Sequence, residues 1–495
     1  MKLRKTKIVC TIGPSSCHRK TLERMLQAGM DVARLNFSHG DHAWHAQVIA
    51  DLREISQKMG KPLALLQDLC GPKIRLGDLG ADGVSLKRGQ VVGLIAHDAL
   101  EPPAKASENL LLPLPVPELL AALQPGRKLL LDDGKILLRV LRTEPTKEAP
   151  APIVWARCLS GGKLLSRKGV AAPGTRFSIP ALTPRDLDDL RFGLSQGVDW
   201  VAVSFVRHAE DLQPIFSTMQ QLGVRVPVMA KIEKAEAVHH FEAILEVVDG
   251  VMVARGDLGV EMRFDEVPIV QKQLIRACNR AAKPVVTATQ MLESMMQCPR
   301  PTRAEAADVA NAILDGTDAV MLSAETASGA YPVEAVRTMA RIALTTEKAI
   351  FRNRDYAERL ATPHQLTEAV GHAAAQITCE IGAKAILCAT STGRTARLVA
   401  SHRPPVRILG ATPSRATYHA LAMVWGVQPC LVEAVTDTDS MMRETLEVAQ
   451  RLQLVRPGDT VVLTAGVPVN RPGTTNLIRV HTVGTTLEAN PLAHS

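Results

Sequence analysis

The sequence predicts an α/β protein: a (β/α)8 barrel, an inserted all-β domain and a C-terminal, doubly wound α/β domain. Three observations support this fold class. Short apolar segments alternate with helical patterns, one long stretch rich in glycine and proline interrupts them, and the alternation restarts after about Lys348. Strands that alternate with helices form parallel sheets.

Eight apolar segments are predicted as barrel strands, because they are β-branched and nearly continuously apolar, as strands buried on both faces are. Eight is also the number that closes such a barrel. The segments are Lys7–Ile12, Met30–Leu35, Pro62–Gln67, Val198–Phe205, Val226–Ile232, Gly250–Ala254, Pro284–Ala288 and Asp318–Leu322. Between them, one helix is predicted from Thr21 to near Gly29, and a capping box at Thr302 opens another that runs to about Leu314.

The interruption falls between the third and fourth strands, and from Gly83 to Gly169 it predicts an inserted all-β domain. Its alternating segments include Lys128–Leu131, Ile136–Val140 and Ile153–Cys158. The C-terminal part supplies strands Ala385–Ala389, Val406–Gly410 and Thr460–Thr464, with helices around Thr367–Glu380, Thr395–Ser401 and Thr438–Arg451. The predicted boundaries are 1–71 and 170–346 for the barrel, 72–169 for the inserted domain, 347–484 for the C-terminal domain and 485–495 for a loose tail.

Composition excludes several classes of protein. Apolar residues make up 46% and charged residues 22%, close to globular averages, which excludes a disordered chain, a collagen and a coiled coil. No stretch approaches the roughly 18 apolar residues of a membrane helix, and the first apolar run stops at Gly13, too early for a signal peptide. Nine scattered cysteines without a C-x-x-C pair favour reduced thiols in a cytoplasm.

The net charge of +8 favours anionic small substrates over nucleic acid, because the basic residues form no long runs and have no aromatic residues between them. Polar side chains follow the predicted barrel strands at their C-terminal ends, where barrel active sites lie. They are Arg34, Asn36, Ser38, His39, Asp68, Lys73, Arg75, Lys231, Glu233, Arg255–Gly259, Thr287, Thr289, Gln290, Ser323 and Glu325.

These residue types suit phosphoryl transfer. The positive members suit phosphate, which arginine grips with two hydrogen bonds. Glu233 and Asp257 are hard oxygen ligands that fit Mg²⁺ or Mn²⁺ and not zinc. The Gly256–Gly259 turn would aim backbone N–H groups at an anion if it opens a helix. Positioning and charge neutralisation of this kind are what phosphoryl transfer needs, and the sequence has neither a P-loop nor a dinucleotide motif.

Six segments carry a resemblance to a known family. They are Thr6–Pro14, Ala33–Gly40, Met229–Glu233, Val253–Glu261, Ala288–Met295 and Met321–Thr326. They resemble the motifs of the pyruvate kinases, in that family's order and over nearly the whole chain. The resemblance implies transfer of the phosphoryl group of phosphoenolpyruvate to ADP, giving ATP and pyruvate, in the last step of glycolysis. It also implies Mg²⁺ or Mn²⁺ as cofactor, a homotetramer, and activation by a phosphorylated metabolite; composition and charge predict a cytoplasmic protein without membrane or nucleic-acid partners.

The resemblance assigns roles residue by residue. Lys231 matches the lysine that stabilises charge on the transferring phosphoryl group and the enolate oxygen. The other matches are Glu233 and Asp257 for the metal; Arg34, Gly256, Asp257 and Thr289 for the substrate; Asn36, His39, Arg75 and Lys168 for nucleotide or phosphate; and Ser323 and Glu325 for a proton relay. Lys168 ends the inserted domain, which resembles a mobile lid that excludes water.

One departure concerns potassium. Asn36, Ser38, Asp68 and the Leu69 carbonyl match a monovalent-cation site, but potassium-requiring members carry Glu where this chain has Lys73, and usually Thr where it has Leu69. Glu plus K⁺ sums to zero charge, whereas lysine alone contributes +1, so the ammonium can replace the ion. The sequence therefore predicts activity without K⁺; the alternative is a Lys73 that points to solvent.

The C-terminal domain offers a second site. A hydroxyl-rich loop follows a predicted strand and opens a helix, an arrangement that suits a phosphate. The loop consists of Thr390, Ser391, Thr392, Gly393, Arg394 and Thr395. It resembles the loop where the family binds its effector; sugar monophosphates, fructose 1,6-bisphosphate and AMP all stay open, as does an ordinary strand–helix turn. Two other functions are also open at this point: a Mg²⁺-dependent aldolase or lyase, and a catalytically inactive metabolite sensor.

Overall fold

The computed structural model describes residues 4–98, 110–146, 150–175, 179–352, 366–468 and 474–486. The chain begins with three strands and two helices: β1 (Lys7–Ile12), α1 (Arg19–Ala28), β2 (Val32–Asn36), α2 (His42–Lys58) and β3 (Ala64–Asp68). The inserted region follows with β4 (Val84–Leu86), β5 (Val91–Ile95), β6 (Leu110–Pro113), α3 (Pro117–Ala122), β7 (Lys128–Leu131), β8 (Ile136–Glu144), β9 (Ile153–Ser160), β10 (Gly162–Leu164) and β11 (Val170–Ala171).

The chain then returns to the barrel and finally forms the C-terminal sheet. The barrel continues with α4 (Pro184–Ser195), β12 (Trp200–Val203), α5 (Gln213–Gln221), β13 (Val228–Ile232), α6 (Ala235–His239), α7 (Phe241–Val247), β14 (Gly250–Ala254), α8 (Arg255–Glu261), α9 (Val267–Arg280), β15 (Val285–Ala288), α10 (Arg303–Leu314), β16 (Ala319–Leu322), α11 (Ala324–Ala327) and α12 (Pro332–Arg352). The C-terminal domain contains α13 (Leu366–Glu380), β17 (Ala385–Ala389), α14 (Arg394–Ser401), β18 (Arg407–Thr412), α15 (Arg415–Ala420), β19 (Val427–Leu431), α16 (Thr438–Arg451), β20 (Thr460–Gly466) and β21 (Thr475–Thr482). Among the described residues, short 3₁₀ helices lie at Ala209–Leu212, Glu293–Met296 and Leu421–Met423.

The barrel is closed and parallel, as predicted. Its strand order is β1-β16-β15-β14-β13-β12-β3-β2, and each predicted apolar segment contains or overlaps one of these strands. Side chains that point inward from the strands, among them Trp200, Met229 and Met252, fill the barrel interior. Because the interior is packed, only the ends of the strands are left to form a site.

In the described part of the inserted domain the strands form a six-stranded sheet and a two-stranded sheet. The domain also holds the short helix α3, which the alternating pattern does not predict. Pro117 lies in the first turn of this helix, where its missing N–H costs nothing, and Leu119 and Leu120 are buried in the domain's core. The local helix is therefore stabilised by burial in an otherwise β-rich domain.

The C-terminal sheet has the order β19-β18-β17-β20-β21; β21 is antiparallel to β20, and the other described strands are parallel to one another. Alternate residues of β17 enter different cores: Leu387 packs on the side of α16, and Ile386 packs with side chains of α13 and α14. Helices therefore cover both faces, as in a doubly wound fold. The order reverses between β17 and β20, and ligands bind at such a point in open α/β sheets.

The C-terminal domain covers the N-terminal end of the barrel. Ala422 and Met423 join the hydrophobic cluster of the barrel interior. The indole Nε1 of Trp200 donates to the Ala420 carbonyl at 3.1 Å, and His419 Nδ1 lies 3.0 Å from the Leu63 carbonyl. The segment from α15 to Met423, here called the floor segment, thus closes the barrel opposite the rim where the polar side chains gather.

Two further predictions concern membrane helices and the C-terminal tail. No helix among the described residues is long and apolar enough to cross a membrane. The predicted tail at 485–495 lies almost wholly outside the described residues.

Candidate functional site

Lys231 lies near the end of β13, and side chains at the ends of β3, β12 and β13 contact its ammonium group. Its Nζ lies 2.8 Å from Glu233 Oε1 and 3.3 Å from Asp68 Oδ1, and it donates to Ser204 Oγ at 2.7 Å. Burial opposes the positive charge, but Asp68 and Glu233 outweigh it and raise the pKa of Lys231. The ammonium is therefore a fixed cation at physiological pH.

Arg34, in the middle of β2, supplies a second cation beside Asp68. Its Nε lies 2.6 Å from Asp68 Oδ2, and its Nη1 donates to Thr11 Oγ1 at 2.9 Å. The Asp68 side chain is 1% exposed. Burial alone would raise the pKa of Asp68, but the charges of Lys231 and Arg34 outweigh burial and lower it. This carboxylate therefore fixes both cations in position.

Glu233 and Asp257 have the chemistry of a divalent-cation site. Burial raises the pKa of Glu233, and the negative charge of Asp257 raises it further, so a cation between them would relieve both costs. Glu233 Oε2 also accepts a hydrogen bond from the Phe205 N–H at 2.8 Å. The described residues contain no cluster of three or more His, Cys, Asp or Glu side chains that could hold a metal. Two carboxylates fit Mg²⁺, which completes its shell with substrate oxygens and water.

Gly256 and Thr289 face each other across the ends of β14 and β15. The Gly256 N–H donates to Thr289 Oγ1 at 2.8 Å. Gly256 lies in the first turn of a short helix, α8, so the condition set for an anion contact at this turn is met. Thr289 has a φ of 69° and Gln290 a φ of 54°, so the loop after β15 is held in a left-handed conformation that non-glycine residues rarely adopt.

A cavity of about 310 Å³ separates this rim from the inserted domain. Glu233 and Asp257 line it from the barrel, and Lys73 lines it from the connection that leads into the inserted domain. The Lys73 side chain is exposed. Both metal-type carboxylates and the sequence-predicted ammonium therefore face one space.

Arg75 and Lys168, which are predicted to bind phosphate from the side of the inserted domain, contact residues of that domain instead. Arg75 Nη1 donates to the Arg167 carbonyl at 3.0 Å, and Lys168 Nζ lies 2.9 Å from Asp132 Oδ1. The structure does not bring either side chain against Lys231 through a hydrogen bond or ion pair.

The residues matched to a monovalent-cation site are close together, but they already have protein partners. Asn36 Oδ1 accepts from the Ser38 N–H at 3.3 Å, and the Leu69 carbonyl accepts from Ser204 Oγ at 2.7 Å. His39 is exposed, and its carbonyl lies 3.0 Å from His45 Nε2.

Ser323 and Glu325 follow β16. Both Glu325 oxygens accept backbone N–H groups, from Leu292 at 3.1 Å and from Ser323 at 2.7 Å, and burial raises the pKa of this carboxyl. Glu325 thereby links the loops after β15 and β16. Ser323 Oγ is buried without a hydrogen-bond partner among the described residues, so the hydrogen-bonding capacity of this hydroxyl is unused.

The loop 390–395 lies at the reversal point of the C-terminal sheet and borders a cavity of about 60 Å³. Gly393, with a φ of 80°, donates its N–H to Thr390 Oγ1 at 2.9 Å, and α14 begins at Arg394. Thr395 is buried, and its Oγ1 lies 2.8 Å from Thr475 Oγ1. The hydroxyls and the helix start thus face one small space.

Sequence reasoning missed Ser204 and Phe205, which hold Lys231 and Glu233. They are the last two residues of the predicted segment Val198–Phe205, and a serine at the end of an apolar strand is the signal that could have found the first. The role of Phe205 comes from its backbone N–H, which no residue type reveals.

Comparisons with family models, curated proteins and solved structures point to the same family. Residues 3–336 match the family described as pyruvate kinase, barrel domain, and residues 368–481 match pyruvate kinase, alpha/beta domain. The chain is 45% identical over 483 residues to the pyruvate kinase of Geobacillus stearothermophilus, covering 97% of this chain and 80% of that protein. It is 44% identical over 484 residues to that of Sporosarcina psychrophila, covering 97% and 81%. A crystal structure of a pyruvate kinase from Cryptosporidium parvum superposes with a TM-score of 0.87 at 32% identity, covering 97% of this chain and 96% of that one.

Proposed function

The chain belongs to the pyruvate kinase family, and from that premise we infer how its residues carry out the reaction. It transfers the phosphoryl group of phosphoenolpyruvate to ADP, giving ATP and pyruvate, and enzymes of this family use Mg²⁺. This is the last step of glycolysis.

The observation that carries the residue assignment is the position of Lys231 between Asp68 and Glu233 at the rim. An oxygen of the ADP terminal phosphate attacks phosphorus, and the bond from phosphorus to the enol oxygen breaks. Lys231 and Arg34 stabilise the negative charge that spreads over the phosphoryl and enolate oxygens. Gly256 and Thr289 hold the substrate carboxylate.

Glu233 and Asp257 would hold the Mg²⁺, which when bound neutralises charge on the carboxylate and phosphoryl oxygens of the substrate. The enolate then takes a proton at carbon. We assign Ser323 Oγ, which has no hydrogen-bond partner among the described residues, to orient the donor. Glu325 positions Ser323 by accepting the Ser323 N–H. On the inserted domain, Lys168 and Arg75, together with Asn36 and His39 of the barrel, would bind nucleotide phosphates when that domain closes.

The direct test of the reaction is ATP formation from phosphoenolpyruvate and ADP in the presence of Mg²⁺, read with a coupled assay. Phosphoenolpyruvate- and ADP-dependent ATP supports the assignment. Enolate chemistry without ATP would instead support the lyase alternative, and binding of sugar phosphate without turnover would support the sensor alternative.

We propose that Lys73 replaces the monovalent cation. Lys73 lines the same cavity as Glu233 and Asp257, and both oxygens of Asp68 are already beside cations, Lys231 and Arg34. Wild-type turnover in a tetramethylammonium buffer should therefore equal turnover with added K⁺. Lys73→Glu should lose at least about tenfold in rate, equivalent to about 1.4 kcal/mol, and should regain it with K⁺. A wild-type rate near zero that K⁺ restores would contradict the proposal.

We also propose that loop 390–395 binds the phosphate of an allosteric activator. The hydroxyls and the start of α14 that border the small cavity support it. In a panel of sugar monophosphates, fructose 1,6-bisphosphate and AMP, at least one compound should activate. Ser391→Ala and Thr395→Ala should lose activation while keeping the basal rate; equal activation in both variants would exclude the loop.

The family relationship further supports a cytoplasmic homotetramer as the working form. Sedimentation of the purified chain at assay concentration tests the oligomeric state, and a monomer with full activity would overturn it.

A further inference from the structure

The loop that carries Thr289 needs a restraint. Thr289 and Gln290 both have positive φ, at 69° and 54°, and neither is glycine. In this region the side-chain Cβ crowds the following carbonyl oxygen, so two such residues in a row persist only when surrounding contacts hold them.

Arg255 supplies those contacts. Its guanidinium donates to three successive carbonyls: Thr289 at 2.7 Å, Gln290 at 3.4 Å and Ala288 at 3.4 Å. On the other side of the guanidinium group, Nη1 lies 2.7 Å from Oδ2 of Asp308 in α10. The Arg255 side chain is only 10% exposed, so these bonds are shielded from water.

The position of Arg255 in the chain joins both walls of the substrate cradle. Its own backbone precedes Gly256, whose N–H donates to Thr289 Oγ1 at 2.8 Å. One residue therefore fixes the Gly256 wall through the chain and the Thr289 wall through its side chain. Because Asp308 neutralises the guanidinium, the contribution is one of geometry and not of charge delivered to the substrate.

We propose that Arg255 is a positioning residue for phosphoenolpyruvate: it holds the left-handed turn at Thr289 and so fixes Thr289 beside Gly256, the two residues assigned to the substrate carboxylate. The inference rests on the proposed assignment of Gly256 and Thr289 to that substrate. It adds a residue that contacts neither the substrate nor the reacting atoms.

The primary test is Arg255→Lys, which keeps the positive charge and loses the planar fork. We expect kcat/KM for phosphoenolpyruvate to fall roughly 10- to 100-fold, as for a small misplacement of binding groups, with KM for phosphoenolpyruvate raised and KM for ADP little changed. Equal changes in both KM values, or none in either, would overturn the proposal.

A second variant tests the restraint itself. Glycine adopts positive φ without strain, so Gln290→Gly should recover part of the lost kcat/KM in the Arg255→Lys background, measured against Gln290→Gly alone. No recovery would indicate that Arg255 does not act through this turn.

If Arg255→Lys does not fold, Asp308→Asn, which removes only the ion pair, should show a smaller loss of kcat/KM confined to phosphoenolpyruvate. A loss shared with ADP would contradict the proposal.

Two further variants separate the possible failures. Arg53 makes a similar clasp at the opposite end of the barrel, to the Gly197 carbonyl at 2.7 Å and Asp199 at 2.8 Å. Arg53→Lys should lower Tm without raising KM for phosphoenolpyruvate; a rise in that KM would show that the effect is not specific to the rim.

If the wild type is active and Thr289→Ala has unchanged kinetics with phosphoenolpyruvate, the substrate assignment itself is overturned. An impaired Thr289→Ala beside a normal Arg255→Lys would overturn only the role of Arg255.

Discussion

Among the residues of the rim, Lys231 is the point where the charges meet. Its ammonium contacts two buried carboxylates and Ser204, while Arg34 shares Asp68 with it. Such an arrangement is set before substrate arrives, which is what makes charged groups effective in a water-excluded site.

The first prediction concerns this ammonium. Lys231→Met should lower kcat by at least about 10²- to 10³-fold, the loss found when one preorganised charge-stabilising donor is removed. Lys163→Met, at an exposed position of β10, serves as the matched control and should keep the wild-type rate. Steady-state kinetics with circular dichroism to check folding would settle it; a loss of less than tenfold would remove Lys231 from the centre of the mechanism.

The sequence could predict the side chains of this site better than their partners. Lys231 and Glu233 are polar residues at the end of an apolar strand, so their location follows from the barrel alone. Which atoms they contact depends on the register between β12 and β13, and that register puts Ser204 beside Lys231. Contacts made by backbone groups, such as the Phe205 N–H, carry no sequence signal.

At the scale of elements, the start of α10 is tied to the loop after β15. Thr302 Oγ1 accepts the Glu305 N–H at 3.2 Å, and the Glu305 carboxylate accepts the N–H groups of Thr302 at 2.8 Å and of Ser294 at 2.7 Å. The capping box therefore fixes a helix and, through Ser294, the loop beyond Thr289.

The second prediction tests this cap. Thr302→Ala should reduce the free energy of unfolding by about 1 kcal/mol, because the helix loses the acceptor for one N-terminal N–H group. Thr302→Ser retains a hydroxyl and should lose little. Urea unfolding followed by circular dichroism compares the three proteins; equal stability of the alanine variant would show that the cap contributes nothing.

Elements were predictable where their patterns were continuous. The capping box gave the start of α10, and the buried parallel strands gave long apolar runs. β19 and β21 were not predicted, because β19 contains Gln428 and Pro429 and the edge strand β21 has Thr, Asn, Arg and His among its residues. An edge strand has one unpaired side, so it does not require an apolar sequence.

At the scale of the whole molecule, buried lysines join the barrel to the C-terminal domain. Lys7 Nζ donates to the Val427 carbonyl at 2.7 Å, and burial lowers the pKa of Lys7 to about 8 although Asp31 favours its charge. Lys5 contacts the Pro404 carbonyl at 2.6 Å, and burial likewise lowers its pKa, to about 7.

The third prediction follows from linkage. Between about pH 8 and pH 10.5 the unfolded chain binds a proton at Lys7 that the folded chain does not, so the free energy of unfolding rises with pH in this window through Lys7. Lys7→Met removes that contribution, while Lys5 acts equally in both proteins. Urea unfolding near the two ends of the window should show a smaller rise in the variant; identical pH dependence would contradict the lowered pKa.

The order of the domains was predictable from the sequence, because each domain has its own arrangement of apolar segments and helical patterns. The contact between the domains was not predictable. The floor segment has no unusual composition, and only the folded chain shows Met423 inside the barrel cluster.

The floor segment also limits how the protein can be divided. Thr417 of this segment donates to the Ser391 carbonyl at 2.8 Å, and Ala422 and Met423 pack beneath Trp200 and its neighbours. A chain truncated after α12 would lack the floor segment, and the underside of the barrel would be open to water. The barrel is therefore no detachable module: removal of the C-terminal domain would expose apolar side chains at its underside and lower its solubility.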